Sequence, residues 1–372
     1  MDMKLALKLS YSLFSFRRKN MRFFNVRRLL VSLLLMPIFI SVLIVNRLFM
    51  MLDYVFFPHF LRKEIKHPIF IISAPRTATT FLYHKICEDR EKITAFKLWE
   101  IVFAPSICQK YILLLGIRLD QFLGGFAKKG ILLFQELTIG KLRKKHLIGL
   151  ELHEEDEAIL LWNLSTVYLN FFYPDTPYFD AYFAFDDALS DPKKKRIMRY
   201  YKRCVQRHCF VFDKKGNKTF LSKNPIMMSK VKSVAQHFPD ARVMCINRSL
   251  SSTLPSTLAL NDRIYGLFTS IPTSEDIHLK TKQILIKWHK MAHQNMMTYF
   301  PDALQISFER LVKKEPNTLN DVCRYAGISI EVFNDDEHNL KTHKSTPDYQ
   351  KLKQEELNEF LEELPFLTRL EQ

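Results

Sequence analysis

The sequence predicts an α/β domain with a mostly parallel sheet flanked by helices, preceded by an N-terminal membrane-associated helical segment. Three observations carry this. Short, β-rich apolar runs alternate with longer helical patterns over residues 66–372, as in sheets whose strands are joined by crossover helices. An apolar run of 17 residues, Leu29–Val45, follows a basic arm. Apolar residues make up 47% and charged residues 25% of the 372, which excludes wholesale disorder and fibrous chains, and is too charged for a polytopic membrane protein.

The arm spans residues 1–28. It holds eight basic side chains against Asp2, and so carries +7 of the net +16. A basic arm can grip nucleic acid, but an apolar segment behind it fits anionic lipid headgroups better, so nucleic acid is not expected as a partner. The anchor spans 29–60. Leu29–Val45 is broken only by Ser32, Pro37 and Ser41, and a second stretch, Leu48–Phe60, is interrupted by Asp53. The first run is at the short end for a span. One span or a monotopic hairpin turning near Pro37 are both open. The run starts late and no small-residue cleavage site follows, so a cleaved signal peptide is not expected.

The α/β domain is placed at 66–372. Pro68–Ser73 reads as a fully buried central strand, apolar on both faces. Thr79–Cys87 continues as a helix. Arg242–Asn247 and Ala303–Ser307 read as further strands. Helical patterns cover Asp156–Val167, Lys280–Thr298 and Thr318–Tyr325. The six cysteines show neither CxxC nor zinc spacing, and read as core or helix-surface residues. Ligands of such sheets lie at the carboxyl ends of the strands, so chemistry is expected after Ile72 and Ile246.

The first of these loops is Ser73-Ala-Pro-Arg-Thr-Ala-Thr-Thr80. A helix N-terminus beside hydroxyls and an Arg is a ready anion site, though an ordinary strand-to-helix connection with Thr79 as cap has the same composition. The loop lacks both the glycines and the Lys of a nucleotide triphosphatase P-loop. Its order, Arg76-Thr77-Ala78-Thr79-Thr80, resembles the PRSGTT loop of sulfotransferases. Further matches follow in order: Leu221-Ser-Lys-Asn-Pro225 resembles the LLKxP element, and Arg248 with Ser256 eight residues later resembles the 3′-phosphate segment. Ile306-Ser-Phe-Glu-Arg-Leu311 resembles a late strand-to-helix element, while Trp99-Glu100 and Glu154-Glu-Asp-Glu157 are similar to a membrane-associated branch. The matches span about two thirds of the chain. Ser249 and Leu250 stand where the family has Asp-Pro, and Ala78 where it has Gly.

The resemblance implies the sulfotransferase fold, a P-loop-like parallel sheet flanked by helices. It implies 3′-phosphoadenosine 5′-phosphosulfate (PAPS) as donor, no metal, and an acceptor bearing a hydroxyl, a lipid or glycan being favoured for a membrane-anchored enzyme. It places Arg76, Thr77, Ala78, Thr79 and Thr80 at the 5′-phosphosulfate, and Arg248 and Ser256 at the 3′-phosphate. Lys223 would be the second catalytic cation beside Arg76. Glu100, 24 residues after Arg76, is the first choice of base, its pKa expected to be raised by desolvation beside Trp99. His153 and Glu155 are second choices, although the acids of 153–157 also read as a solvated helix start. His84 reads as a partly buried helix residue, and Lys341–Ser345 as an exposed loop or a donor cover. Ala78 sets a condition: an intact loop requires negative φ there, because a non-Gly residue resists positive φ.

Two other functions are compatible with this pattern. A non-catalytic nucleotide-binding or scaffold protein would explain Ala78, Ser249 and Leu250, and a magnesium-dependent kinase would need an acid ligand that no motif supplies. The membrane side is open between a bacterial inner membrane with a cytoplasmic domain and a Golgi membrane with a lumenal one.

Overall fold

The computed structural model describes residues 26–126, 129–130, 149–172, 179–268 and 275–333. The chain enters through one long helix, α1 (Val26–Phe56), and a 3₁₀ turn at Pro58–Arg62. It then alternates: β1 (Ile69–Ile71), α2 (Thr79–Ile86), β2 (Ile93–Thr94), α3 (Leu98–Phe103) and α4 (Ile107–Phe122). After a 3₁₀ helix at Asp156–Asn163 and short helical turns come α5 (Asp191–Phe212), β3 (Thr219–Lys223), α6 (Val231–His237) and β4 (Arg242–Asn247). The series closes with α7 (Leu250–Phe268), α8 (Glu275–Tyr299), β5 (Leu304–Ser307) and α9 (Pro316–Ala326).

The five strands form one sheet in the order β2-β3-β1-β4-β5, and every pairing is parallel. β1 is central, with Phe70 opposite Ser222 on one side and Val243 on the other. Alternation along this segment splits it between two apolar layers. Phe70 and Ile72 join one layer with Phe220, Val243 and Tyr201. Ile69 and Ile71 join the other with Leu82, Ile86, Leu221 and Val322. All four side chains are fully buried, worth about 1.5–3 kcal/mol each against exposure. A strand walled on both faces needs a continuous apolar run, and the sequence has one here.

The strand expected over Arg242–Asn247 is present with those bounds, those expected near 68 and 303 are trimmed by a residue or two at an end, and the helices expected near 79, 280 and 318 are present, the last two longer than expected. The helix expected over Asp156–Val167 is a 3₁₀ helix that stops at Asn163; Leu164 takes the left-handed conformation, φ 51°, and closes it. The two apolar stretches of the anchor form one helix that continues through Pro37, so no hairpin turns there.

α1 is also built into the domain. Leu43 and Met50 belong to its larger core cluster. Arg47 donates to the Trp162 carbonyl at 2.9 Å and to Asn163 Oδ1 at 2.6 Å. The Asp53 carboxylate is buried against Arg207 at 2.7 Å. Two residues that interrupt the apolar pattern, Arg47 and Asp53, thus bind the helix to the domain.

Candidate active site

The carboxyl ends of β1, β3 and β4 meet at one crevice, where the chain switches from one side of β1 to the other. The loop after β1 is fastened to β4: Ile246 N–H donates to Ser73 Oγ at 2.7 Å, and Ile72 N–H to the Met244 carbonyl at 3.0 Å. Within the loop the Thr77 hydroxyl donates to the Ala74 carbonyl at 2.8 Å, so its proton is engaged in shaping the turn. Arg76 and Ala78 both lie in the left-handed region, φ 68° and 62°. Ala78 is the N-cap of α2. The negative φ set as the condition at residue 78 is therefore not met, and the position has the backbone of a glycine. An L-residue there carries about 1–2 kcal/mol of strain.

α2 presents its first turn, Thr79 and Thr80, toward this crevice. Lys223, at the end of β3 and buried, donates to Thr80 Oγ1 at 3.1 Å and pairs with Glu155 Oε1 at 2.9 Å. Tyr168 donates to the other Glu155 oxygen at 2.5 Å. From β4 and α7, Arg248 donates to the Arg76 carbonyl at 2.5 Å and stacks over Phe308 at 4.0 Å, while Arg76 Nε donates to Ser256 Oγ at 2.8 Å.

Burial lowers the pKa of both guanidinium groups. Arg263 adds to the effect at Arg76; Arg76 does so at Arg248, with Glu309 opposing it. Among the described residues neither makes an ion pair with a carboxylate. Two crowded, partly desolvated cations between a helix N-terminus and a lysine favour a multivalent anion.

Glu100 has a different environment from the one expected. It is buried, with His208 Nδ1 at 2.7 Å, Lys110 at 3.8 Å, and the Lys97 N–H donating to it at 3.1 Å as the capping box of α3. Burial pushes its pKa up, but His208 and Lys110 outweigh that and the net shift is downward. The raised pKa expected from desolvation beside Trp99 is overturned, because the partners that hold the charge come from α4 and α5. His153 is shifted down to about 4, by burial and then by Lys97 and His84. His84 is buried and stands 2.9 Å from the His153 carbonyl.

The acidic run is not a solvated helix start. Asp156 and Glu157 are fully buried, held by Tyr201 at 2.5 Å and Lys230 at 2.5 Å. At Glu155 burial raises the pKa, and Lys223 and Tyr168 bring it below its usual value. Glu154 is half-buried, and burial raises its pKa to about 7 even though Lys223 pulls the other way and Glu155 adds to the rise. Tyr168 and Arg263 belong to no motif and carry no signal in the sequence; Ser73 heads the predicted loop, but its bond to β4 does not show there. Lys341–Ser345 lies outside the described residues. Among the described residues no group of three His, Cys, Asp or Glu is placed to hold a metal.

Residues 68–332 match the model of a sulfotransferase family. The structure is similar to sulfotransferase STF1 from Mycobacterium tuberculosis H37Rv, at 16% identity and TM-score 0.62, covering 89% of this chain and 86% of that one. It is also similar to sulfotransferase STF9 from Mycobacterium avium, at 14% identity and TM-score 0.65, covering 85% and 80%. At these identities the likeness concerns the fold. No curated protein matches the chain.

Proposed function

The chain belongs to the sulfotransferase family, and from that premise we propose that it moves a sulfuryl group from PAPS to a hydroxyl of a membrane-borne lipid or glycan. The observation that carries the reading is the crevice itself. Three cations, Arg76, Lys223 and Arg248, stand at the carboxyl ends of three adjacent strands beside the first turn of α2. The donor is anionic at both its 5′-phosphosulfate and its 3′-phosphate, and these adjoining cations have the charge to complement both.

In this reading the backbone N–H groups of Thr79 and Thr80, with Arg76 and Thr77, hold the 5′ end. Arg248 and Ser256 hold the 3′-phosphate. Transfer forms a bond between the acceptor oxygen and sulfur and breaks the bond from sulfur to the bridging oxygen, releasing 3′,5′-ADP. Lys223 faces the charge that develops on the leaving oxygen. The hydroxyl proton passes to a carboxylate. Glu154 suits that role better than Glu100: it is half-buried, within the field of Lys223, and near its midpoint at neutral pH. Glu100 instead holds α3 against α4 and α5.

α1, apolar over Leu33–Phe56, supports membrane anchorage, from a bacterial inner membrane or a Golgi membrane, and so favours a membrane-borne acceptor. One observation favours a second reading, a non-catalytic scaffold protein on the same fold whose donor site has decayed: the positive φ at Ala78.

Calorimetric titration of 3′,5′-ADP in EDTA into the detergent-solubilised full chain separates them. Tight binding that Arg248→Ala loses supports the enzyme. Absence of binding by a well-folded chain overturns it in favour of the second reading. The full chain is the right material because α1 contributes to the core.

A further inference from the structure

α4 starts as a domain helix and continues as something else. Its first turn is fixed from α1: the Asp53 carboxylate accepts the N–H groups of Ile107 and Cys108, both at 3.0 Å, and Gln109 donates to Asn46 at 2.7 Å. Beyond Tyr111 the helix is exposed and apolar almost all the way round. Ile112, Leu115, Leu119 and Phe122 all stand more than half in the open, and Ile117 and Leu113 more than a third. At 100° per residue these positions are not one stripe facing a core. A water-soluble surface does not sustain that much contiguous apolar area without a partner. α1 shows the same property over Leu34, Ile38, Ile44 and Leu48, and the two helices are clamped together by the buried Asp53.

Between α4 and the end of α5 lies a cavity of about 410 Å³. Tyr111, Leu114, Val211 and Phe212 line it together with Arg118 and Lys214. The Lys214 ammonium is 5.9 Å from the centre of the Tyr111 ring. Among the described residues neither Arg118 nor Lys214 has an acidic partner. Two cations beside an apolar lining match the chemistry of an anionic lipid, a phosphodiester joined to acyl chains. The basic arm, +7 over residues 1–28, fits anionic lipid as well.

We propose that α4 is a second membrane-embedded element beside α1, and that Arg118 and Lys214 bind the phosphodiester headgroup of an anionic phospholipid at its base. The proposal rests on the reading of α1 as a membrane anchor and adds to it a second point of attachment. Held at two points, the domain has a fixed orientation on the bilayer.

The test uses the full chain with vesicles of phosphatidylcholine, alone or mixed with phosphatidylglycerol, with brominated acyl chains as quenchers. Phe122 is the reporter, replaced as Phe122→Trp; the native Trp99, Trp162 and Trp288 are buried in the protein, and the wild type supplies their background. The expected result is emission from Phe122→Trp quenched at least about twofold more than wild type, and preference for the anionic vesicles weakened several-fold by Arg118→Glu with Lys214→Glu. Vesicle-bound protein whose added tryptophan is not quenched overturns the proposal and leaves the α1 anchor standing. Emission that is blue-shifted without quenching in a cross-linkable dimer overturns it equally, and makes a second copy the occupant. An anionic preference untouched by the double variant removes the headgroup site. Failure of the wild type to bind any vesicle overturns the anchor reading itself, and the proposal with it.

Discussion

Arg76 donates through Nε to the Ser256 hydroxyl at 2.8 Å, and so ties the loop after β1 to the helix after β4. The sulfotransferase motifs place these two residues at opposite ends of the donor, yet they touch. A phosphate entering beside Arg248 meets a hydroxyl that accepts from a guanidinium and keeps its own proton to donate to the anion. Ser256→Ala is expected to weaken 3′,5′-ADP binding about tenfold, one neutral-to-charged hydrogen bond. Arg248→Ala should weaken it about a hundredfold, the loss of a charge-assisted contact. Titration calorimetry at two salt concentrations checks both, and equal affinities for wild type and Arg248→Ala would remove the 3′-phosphate assignment.

Ala78→Gly should stabilise the protein. Relief of the left-handed strain, about 1–2 kcal/mol, exceeds the roughly 0.4–1 kcal/mol of extra unfolded-chain entropy that a glycine brings. A net gain of up to about 1.6 kcal/mol raises Tm by a few degrees, and donor affinity should rise or hold. A lower Tm for Ala78→Gly would show that the loop prefers its alanine.

The base is distinguished by pH. A carboxylate must be deprotonated to accept the acceptor's proton, and burial has raised the Glu154 pKa to about 7. kcat/KM should therefore climb through that value as pH rises and level off above it. Glu154→Gln should lose about 10²- to 10⁴-fold in rate with little change in Tm. Glu100→Gln should do the reverse, losing several degrees of Tm, because His208 and Lys110 remain buried beside an amide. A rate loss confined to Glu100→Gln would restore Glu100 as the base.

The contrast between those two glutamates shows what is legible in the sequence. β1 and β4 can be read because central parallel strands are apolar on both faces. β2 cannot: Ile93–Thr94 is two residues long and follows a charged stretch. Arg76, Thr80, Lys223, Arg248 and Ser256 stand out because short motifs hold them at strand ends, where local order fixes their place. Charge environments do not. The partners that hold Glu100 in its charged form come from α4 and α5, and Glu155, Asp156 and Glu157 are held by Lys223, Tyr201 and Lys230, which arrive from distant elements. An acidic run facing such partners looks no different in the sequence from one facing water.

Asp53 is the second case of this kind and gives the last prediction. In the sequence it interrupts an apolar segment; in the fold it is a fully buried carboxylate. It pairs with Arg207 Nε at 2.7 Å and accepts two first-turn N–H groups of α4 at 3.0 Å. Arg207 also donates to the Met50 carbonyl at 3.1 Å and stacks over Phe60 at 4.3 Å. Asp53→Ala leaves a buried guanidinium without its counter-charge and the α4 N-terminus without that acceptor, which should cost about 3–5 kcal/mol. Asp53→Asn loses the charge and one of the two acceptor oxygens but keeps the other, so it should fall between wild type and Asp53→Ala. Chemical denaturation of the detergent-solubilised chain measures the order. If Asp53→Ala unfolds at the wild-type midpoint, α1 is an appendage, and the coupling of anchor to domain through this residue is wrong.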